Sequence, residues 1–393
     1  MLSAQTIATV KSTIPLLESA GVAITDHFYQ RMFRLNPELK NIFNMANQAN
    51  GRQQFALFNA IAAYAKNIDN LGALSEVVER VAHKHTSFFI QPEHYDIVGH
   101  HLIETLRELA PEAFTPDVEQ AWVEAYGALA GIFINREGDL YSLTEKAQGG
   151  WLGPRQFRVL SKTPESALVT SFVLAPVDSQ PVIDYKPGQY LGVKVKPAGA
   201  EYEEIRQYSI SQKSNAKNYR ISVKKECQPK PGVVSNYLHS LEQGARVELY
   251  PPAGDVILKN EATPVVLISA GVGQTPMMAM LQTLLSGDKN QAISYLHACE
   301  NSREFSFKGY LAQQTAMHPQ LKTFTWFNQG GEECDFTGLM DLTVLEASLP
   351  ISEGAFYLCG PASFMAYVKG QLLDLGVQSS NIHYEIFGPH QAL

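Results

Sequence analysis

Six of the eleven histidines in this 393-residue chain fall between positions 27 and 101, so a metal-binding role has to be assigned by helix face and not by number. Around 74–89, Leu74, Val78, Val81 and Phe88 recur at helical spacing, and His85 continues their apolar stripe. His83 lies about 200° away from His85 at 100° per residue. A single histidine on an apolar face is ordinarily a hydrogen-bonded core residue. Here other helices repeat the anomaly: Tyr29 adjoins Phe28 and Met32, and Gln53 heads the face of Leu57, Ile61 and Tyr64. Tyr95 begins the run Val98, Leu102 and Leu109, and Glu137 ends the run Tyr126, Leu129 and Phe133. Each has an ordinary explanation, such as a tyrosine with a wet hydroxyl or a glutamate at a helix end. Buried polar groups need partners, however, so several such faces point to a polar ligand or an internal hydrogen-bond network.

Further along, Pro187-Gly188-Gln189-Tyr190 precedes Arg206-Gln207-Tyr208-Ser209, and Gly232-Val233-Val234-Ser235-Asn236 opens a helix. Alone, these are a turn entering a strand, a chance tetrapeptide and a helix start. As residue types, Arg206 is a fork of hydrogen-bond donors, Tyr208 and Ser209 bring a ring and a hydroxyl, and a helix start at Val234, Ser235 and Asn236 presents unpaired backbone N–H groups. The apolar run Val265-Val266-Leu267-Ile268 leads through Ser269-Ala270 into Gly271-Val272-Gly273-Gln274-Thr275-Pro276 and a helix over 277–285. Glycines at a strand-to-helix turn let the backbone approach a pyrophosphate. Cys359-Gly360-Pro361 ends another strand, where the cysteine also reads as a small buried hydrophobe. Cys227 to Pro231 reads as a rigid surface connection.

The elements behind these motifs fall into three rhythms. Residues 1–150 show helical periodicity without strand-like alternation, punctuated by Pro15, Pro37, Pro92, Pro111 and Pro116. From about 155, short β-branched and aromatic runs separated by Pro, Gly and Asn predict an antiparallel barrel or sandwich. From about 262, strands alternate with helices, which predicts a largely parallel sheet. Breaks at Gln148 to Pro154 and near 259–263 divide the chain into units 1–147, 148–260 and 261–393. Net charges of −6, +5 and −7 over 1–150, 151–259 and 260–393 leave the middle unit able to receive an anionic ligand, while −8 overall argues against a nucleic-acid partner. With 45% hydrophobic and 18% charged residues and no long apolar run, no membrane span is expected. Four scattered cysteines exclude a disulfide framework, a zinc cluster and an iron–sulfur centre. The N-terminus lacks a continuous apolar core with a cleavage site, and the chain reads as cytoplasmic.

The first segment resembles a globin: Phe28-Tyr29, the Asn36-Pro37-Glu38-Leu39 turn followed by Phe43, Gln53 with Leu57, and Lys84-His85 match the bacterial flavohemoglobin pattern. The later motifs together resemble the FAD-binding barrel and nucleotide domain of the ferredoxin–NADP reductase family. The resemblance covers nearly the whole chain and implies an all-α globin, an antiparallel β-barrel FAD domain and an α/β NAD(P) domain. It implies heme b with His85 as proximal iron ligand and Phe28, Phe43, Leu57, Lys84 and Leu102 around the group. Tyr29 and Gln53 would face dioxygen, and Tyr95 with Glu137 would make the imidazole more electron-rich. Tyr190, Arg206, Gln207, Tyr208, Ser209, Val234, Ser235 and Asn236 would hold FAD, joined by the terminal Glu385-Ile386-Phe387-Gly388-Pro389, whose Phe387 would lie near the isoalloxazine. Gly271, Val272, Gly273, Gln274, Thr275 and Pro276, with Cys359, Gly360 and Pro361, would hold NAD(P)H. Glu300 suits a ribose 2′-hydroxyl and Arg303 a 2′-phosphate, and NADH is the reading taken. The implied activity is nitric oxide dioxygenase, NO and O2 going to nitrate. The alternatives are a reductase of other small oxidants and a non-enzymatic O2 or NO sensor. The resemblance implies a monomer needing neither a separate electron-transfer protein nor an obligatory membrane partner, and it leaves the distal pocket open to lipid.

Overall fold

The computed structural model describes residues 2–45, 48, 51–259, 262–288 and 290–388. Helices fill the first part. Ser3 caps α1 (Ala4–Ser12) by accepting the Thr6 N–H, and α2 (Ile14–Ala20) follows with Pro15 in its first turn, where a missing N–H costs little. α3 (Ala23–Leu35) buries Phe28, Tyr29, Met32 and Phe33 and stops before Asn36-Pro37, because the residue before a proline is pushed out of the helical region. A 3-10 turn (Pro37–Asn41) and then α4 (Arg52–Lys66) follow. α5 (Ser75–Thr86) ends short of the expected residue 89: Phe89 takes a left-handed φ of 58° before Pro92 opens the next helix. α6 (Pro92–Leu109) and α7 (Pro116–Lys146) each start on a proline whose fixed φ is already helical. α3 packs on α4 and α6, whereas α5 packs on α7. The space between these packings is where the site forms.

The second part is antiparallel: β1 (Arg155–Pro164), β2 (Val169–Pro176), β3 (Tyr190–Val195), β4 (Glu204–Ser209), β5 (Tyr219–Lys224) and β6 (Arg246–Leu249) lie in the order β4-β3-β6-β1-β2-β5. A bridge from Ile210, just beyond β4, to Ile221 within β5 joins the two outer strands, which closes the sheet into a barrel around Phe157, Phe172, Leu191, Ile221 and Leu249. α8 (Val233–Ser240) contributes Val234 and Leu238 to that core.

The third part is a parallel sheet of β7 (Val265–Ala270), β8 (Ile293–Cys299), β9 (Leu321–Phe327), β10 (Phe336–Thr337), β11 (Ala355–Cys359) and β12 (Ile382–Glu385), ordered β10-β9-β8-β7-β11-β12. Covered on both faces, β7 is almost wholly apolar, as a central parallel strand must be. α9 (Gln274–Leu285), α10 (Lys308–Met317) and α11 (Ala362–Asp374) connect the strands. α9 begins three residues earlier than expected, because Pro276 fits in a first turn. The strand order reverses beside β7, between β8 and β11, and such a switch point opens a ligand crevice at the carboxyl ends of the strands. The three expected architectures are therefore all present. Among the described residues no single helix is long and apolar enough to cross a membrane.

Candidate functional site

One cavity of about 1060 Å³ runs from the helical part into the barrel and the end of β12. Its helical walls carry Phe28, Tyr29, Phe43, Gln53, Leu57, Lys84, His85, Tyr95 and Leu102, and its far end carries Tyr190, Arg206, Gln207, Ser209 and Glu385 to Gly388.

His85 is the only histidine lining it among the described residues. His101 is bonded at both ring nitrogens, to Arg31 and Asn36, and His27 pairs with Glu108 at the surface. At His85, Nδ1 lies 2.8 Å from Glu137 Oε1 and 2.9 Å from the Tyr95 hydroxyl, which itself donates to Glu137 at 2.5 Å. Glu137 is not at a helix end. It sits inside α7 with 3% of its surface exposed, so its carboxylate must accept from protein donors. Burial first, and then the charge of Glu137, push the Tyr95 hydroxyl's pKa up, which keeps it a donor. With the proton on Nδ1, Nε2 keeps its lone pair. An imidazole backed by a carboxylate, with a ring nitrogen left for a metal on the wall of a largely apolar cavity, suits the protein ligand of an iron porphyrin.

Tyr29 is 4% exposed, and its hydroxyl meets the side chains of Gln53 and Gln48. Burial raises its pKa against the lowering effect of those amides, so it too stays a protonated donor. Phe28 and Phe43 set ring edges against it at 5.0 and 5.9 Å between centroids. Lys84 reaches across the domain seam, donating to the Gly388 carbonyl. Its burial lowers its pKa while Glu385 and Asp255 oppose that.

At the barrel end, Ser209 Oγ is buried with no hydrogen-bond partner among the described residues, the mark of a group that a ligand completes. Tyr190 lines the same space, whereas Tyr208 packs against the barrel core. Arg206 bonds the Ile205 carbonyl and pairs with Glu204, both at 2.8 Å, so it is a held fork and not a free one. Gln207 donates to Ser87 Oγ at 2.6 Å, across the seam. Val234 gives its side chain to the barrel core, which leaves its backbone for phosphates. Ser235 and Asn236 bond the Gly232 carbonyl and stiffen the start of α8. Glu385 is half-buried, and desolvation and Asp255 push its pKa up to about 7 against the lowering effect of Lys84 and Arg80. Ile386 lines the cavity and Phe387 is half exposed beside it; Pro389 lies outside the described residues.

At the switch point, Gly271 has φ 53°, and a Cβ on Gly273 would collide with the Cys359 carbonyl and come within 2.7 Å of Gly360 N. Val272 accepts from Thr275 Oγ1 at 3.1 Å, and Gln274, Thr275 and Pro276 are buried in the first turn of α9. Cys359 is fully buried, its thiol pKa raised by burial, and Gly360 and Pro361 lead into α11. This crossing of two strand ends presents backbone N–H groups and little side chain.

Arg80, Ser87, Gly254 and Asp255 were not singled out by sequence, and His83 only as facing away from His85, yet they join the helical part to the barrel. Their signal was legible in part: positions 80, 83 and 84 of α5, with Ser87 at its C-terminal cap, form a polar stripe apart from the one that carries His85.

A globin family model matches residues 26–133, an oxidoreductase FAD-binding domain matches 156–257, and an oxidoreductase NAD-binding domain matches 267–370. A flavohemoprotein of Vibrio cholerae is 56% identical over 396 residues, covering 100% of both chains. The structure of a Malassezia yamatoensis flavohemoglobin with bound FAD and heme superposes with TM-score 0.89 at 28% identity, covering 98% of this chain and 100% of that one. The FAD/NAD-binding domain of a Vibrio cholerae nitric oxide dioxygenase matches with TM-score 0.57 at 49% identity, covering 60% of this chain and 99% of that one. The chain belongs to the flavohemoprotein family, a globin continuous in one polypeptide with FAD- and NAD-binding oxidoreductase domains, which needs no separate reductase.

Proposed function

We propose that the chain is an NAD(P)H-dependent nitric oxide dioxygenase, converting NO and O2 to nitrate. The carrying observation is the single cavity that holds His85 and Tyr29 in its helical part and Ser209 and Phe387 at its barrel end. Full-length likeness to a flavohemoprotein, and likeness of the reductase half to that of a nitric oxide dioxygenase, support the reading. When bound, FAD turns a hydride donor into single-electron steps and heme iron activates dioxygen.

The chain's own residues then have defined tasks. His85 Nε2 would hold the iron, and Glu137, accepting from Nδ1–H and from Tyr95, keeps the imidazole oriented and would make it electron-rich. Tyr29, held protonated by burial and oriented by Gln53, would present a hydroxyl hydrogen to oxygen held in the cavity. Ser209, whose hydroxyl has no partner among the described residues, would orient the flavin ring, Arg206 would turn the N–H groups not engaged by Ile205 and Glu204 toward its pyrophosphate, and the turn from Gly271 to Pro276 would receive the nucleotide phosphates beside Cys359-Gly360. The working form is a cytoplasmic monomer using NADH.

The test is aerobic NO consumption on an electrode after NADH is added to protein loaded with heme and FAD, with nitrate assayed at the end. Rapid NADH-dependent loss of NO with matching nitrate is expected. Flavin reduction without NO loss would overturn the reading.

A further inference from the structure

α5 has two working faces. One carries His85, and the other docks onto the reductase part through Arg80, His83, Lys84 and Ser87. We propose that Arg80 and His83, engaging Asp255 and the Gly254 N–H, are positioning residues: they latch the helix that bears the iron ligand onto the flavin barrel and so set the rate at which electrons cross between them. This rests on the assignment of His85 and the barrel as heme and flavin sites.

Arg80 Nε lies 3.3 Å from Asp255 Oδ2, with 30% and 18% of the two side chains exposed. The guanidinium also sits 5.9 Å over the Tyr384 ring of β12, so one side chain touches both reductase domains. A partly buried, doubly engaged arginine fixes geometry better than a surface ion pair does. One turn on, the Gly254 N–H donates to His83 Nδ1 at 3.3 Å. His83 Nε2 meets Glu79 Oε1 at 3.1 Å, and Arg136 of α7 grips Glu79 at 2.5 and 2.6 Å. A hydrogen-bonded line therefore runs from α7, the helix holding Glu137, to the barrel loop that faces Tyr190. Gly254 has φ 123°, and a Cβ there would sit 3.1 Å from the Tyr190 ring, so glycine alone presents this N–H without strain. Ser87 finishes the stripe: it accepts from Gln207, and a side chain on Gly192 would run into the Ser87 carbonyl. Electron transfer through protein falls off exponentially with distance, so a seam fixed on the helix next to the iron ligand bears directly on that rate.

The experiment uses the full chain loaded with heme and FAD, as Arg80→Ala, Asp255→Asn, and the exchanged pair Arg80→Asp with Asp255→Arg. Stopped-flow mixing with NADH under carbon monoxide follows flavin and heme reduction separately, and resonance Raman reads the iron–histidine stretch. Flavin reduction is expected at the parent's rate in every variant. Heme reduction should slow by roughly tenfold in the single variants and recover in the exchanged pair, as a coupled pair requires. The iron–histidine stretch should stay in place. Single variants that reduce heme at the parent's rate, or an exchanged pair no faster than the singles, would overturn the latch. Failure of the parent itself to reduce heme would instead strike at the heme and flavin assignment.

Discussion

His85 and His297 are both histidines set into apolar faces, one on helix α5 and one on the central strand β8, and the fold gives them opposite fates. His85 has a carboxylate and a phenol at Nδ1 and a cavity on its other side. His297 is 1% exposed, stacks on Phe305 at 5.2 Å, and has Ser269 Oγ 2.9 Å from Nδ1, with Nε2 unpartnered among the described residues. Burial alone pushes its pKa down to about 3, so it stays neutral. Residue type and face therefore do not make a ligand. A second group that orients the ring, together with open space beyond it, does.

The sharpest way to break this comparison is to truncate each ring. His85→Ala should lose heme by at least about 100-fold in affinity while FAD stays bound, and His297→Ala should keep both groups; heme titration by absorbance and flavin release on denaturation read the two. A normal heme spectrum in His85→Ala would remove it from the iron. Gly273→Ala tests the nucleotide region in the same spirit. A methyl there must push aside the Cys359 backbone, so NADH-driven flavin reduction should fall by roughly 100-fold with heme untouched, and a rate within a few-fold of the parent would show that backbone approach does not matter at the turn.

Much of this was legible because periodicity reports faces. The stripe of Val78, Val81 and His85, and the strand-to-helix glycines after Ile268, stand in the sequence as they stand in the fold. Partners from distant segments were not legible. Nothing near Gln207 points to Ser87, 120 positions away, and nothing near His83 points to the Gly254 N–H, 171 positions away. Val234 read as part of a phosphate site, but its side chain belongs to the barrel core, because a helix start offers its backbone to a ligand whichever way the side chain points.

Smaller effects sharpen the His85 side. Tyr29→Phe removes the buried hydroxyl but keeps the ring against Phe28 and Phe43, so oxygen loss should speed up by roughly tenfold, the scale of one net hydrogen bond. Flash photolysis measures it, and an unchanged off-rate would exclude Tyr29 as the donor. Glu137→Gln exchanges a carboxylate for an amide at the same place, and the iron–histidine stretch should fall as the imidazole becomes less electron-rich. A stretch at the parent frequency would put Glu137 out of contact with the ligated ring.

The His297 side of the comparison is tested only in acid. Its pKa is depressed in the fold, from 6.5 to about 3, so between those values the unfolded chain binds a proton that the folded chain does not. Stability is therefore untouched above pH 6.5 and declines as pH falls toward 3, by about 2–3 kcal/mol at pH 4.5 on linkage grounds. Hydrogen exchange of the β8 amides, corrected for intrinsic rates, should show weaker protection at about pH 4.5 than at pH 7 in the parent. His297→Leu should flatten that difference without changing NADH oxidation at neutral pH. If the pH difference survives the substitution, the acid sensitivity belongs to other groups, and burial is not what separates His297 from His85.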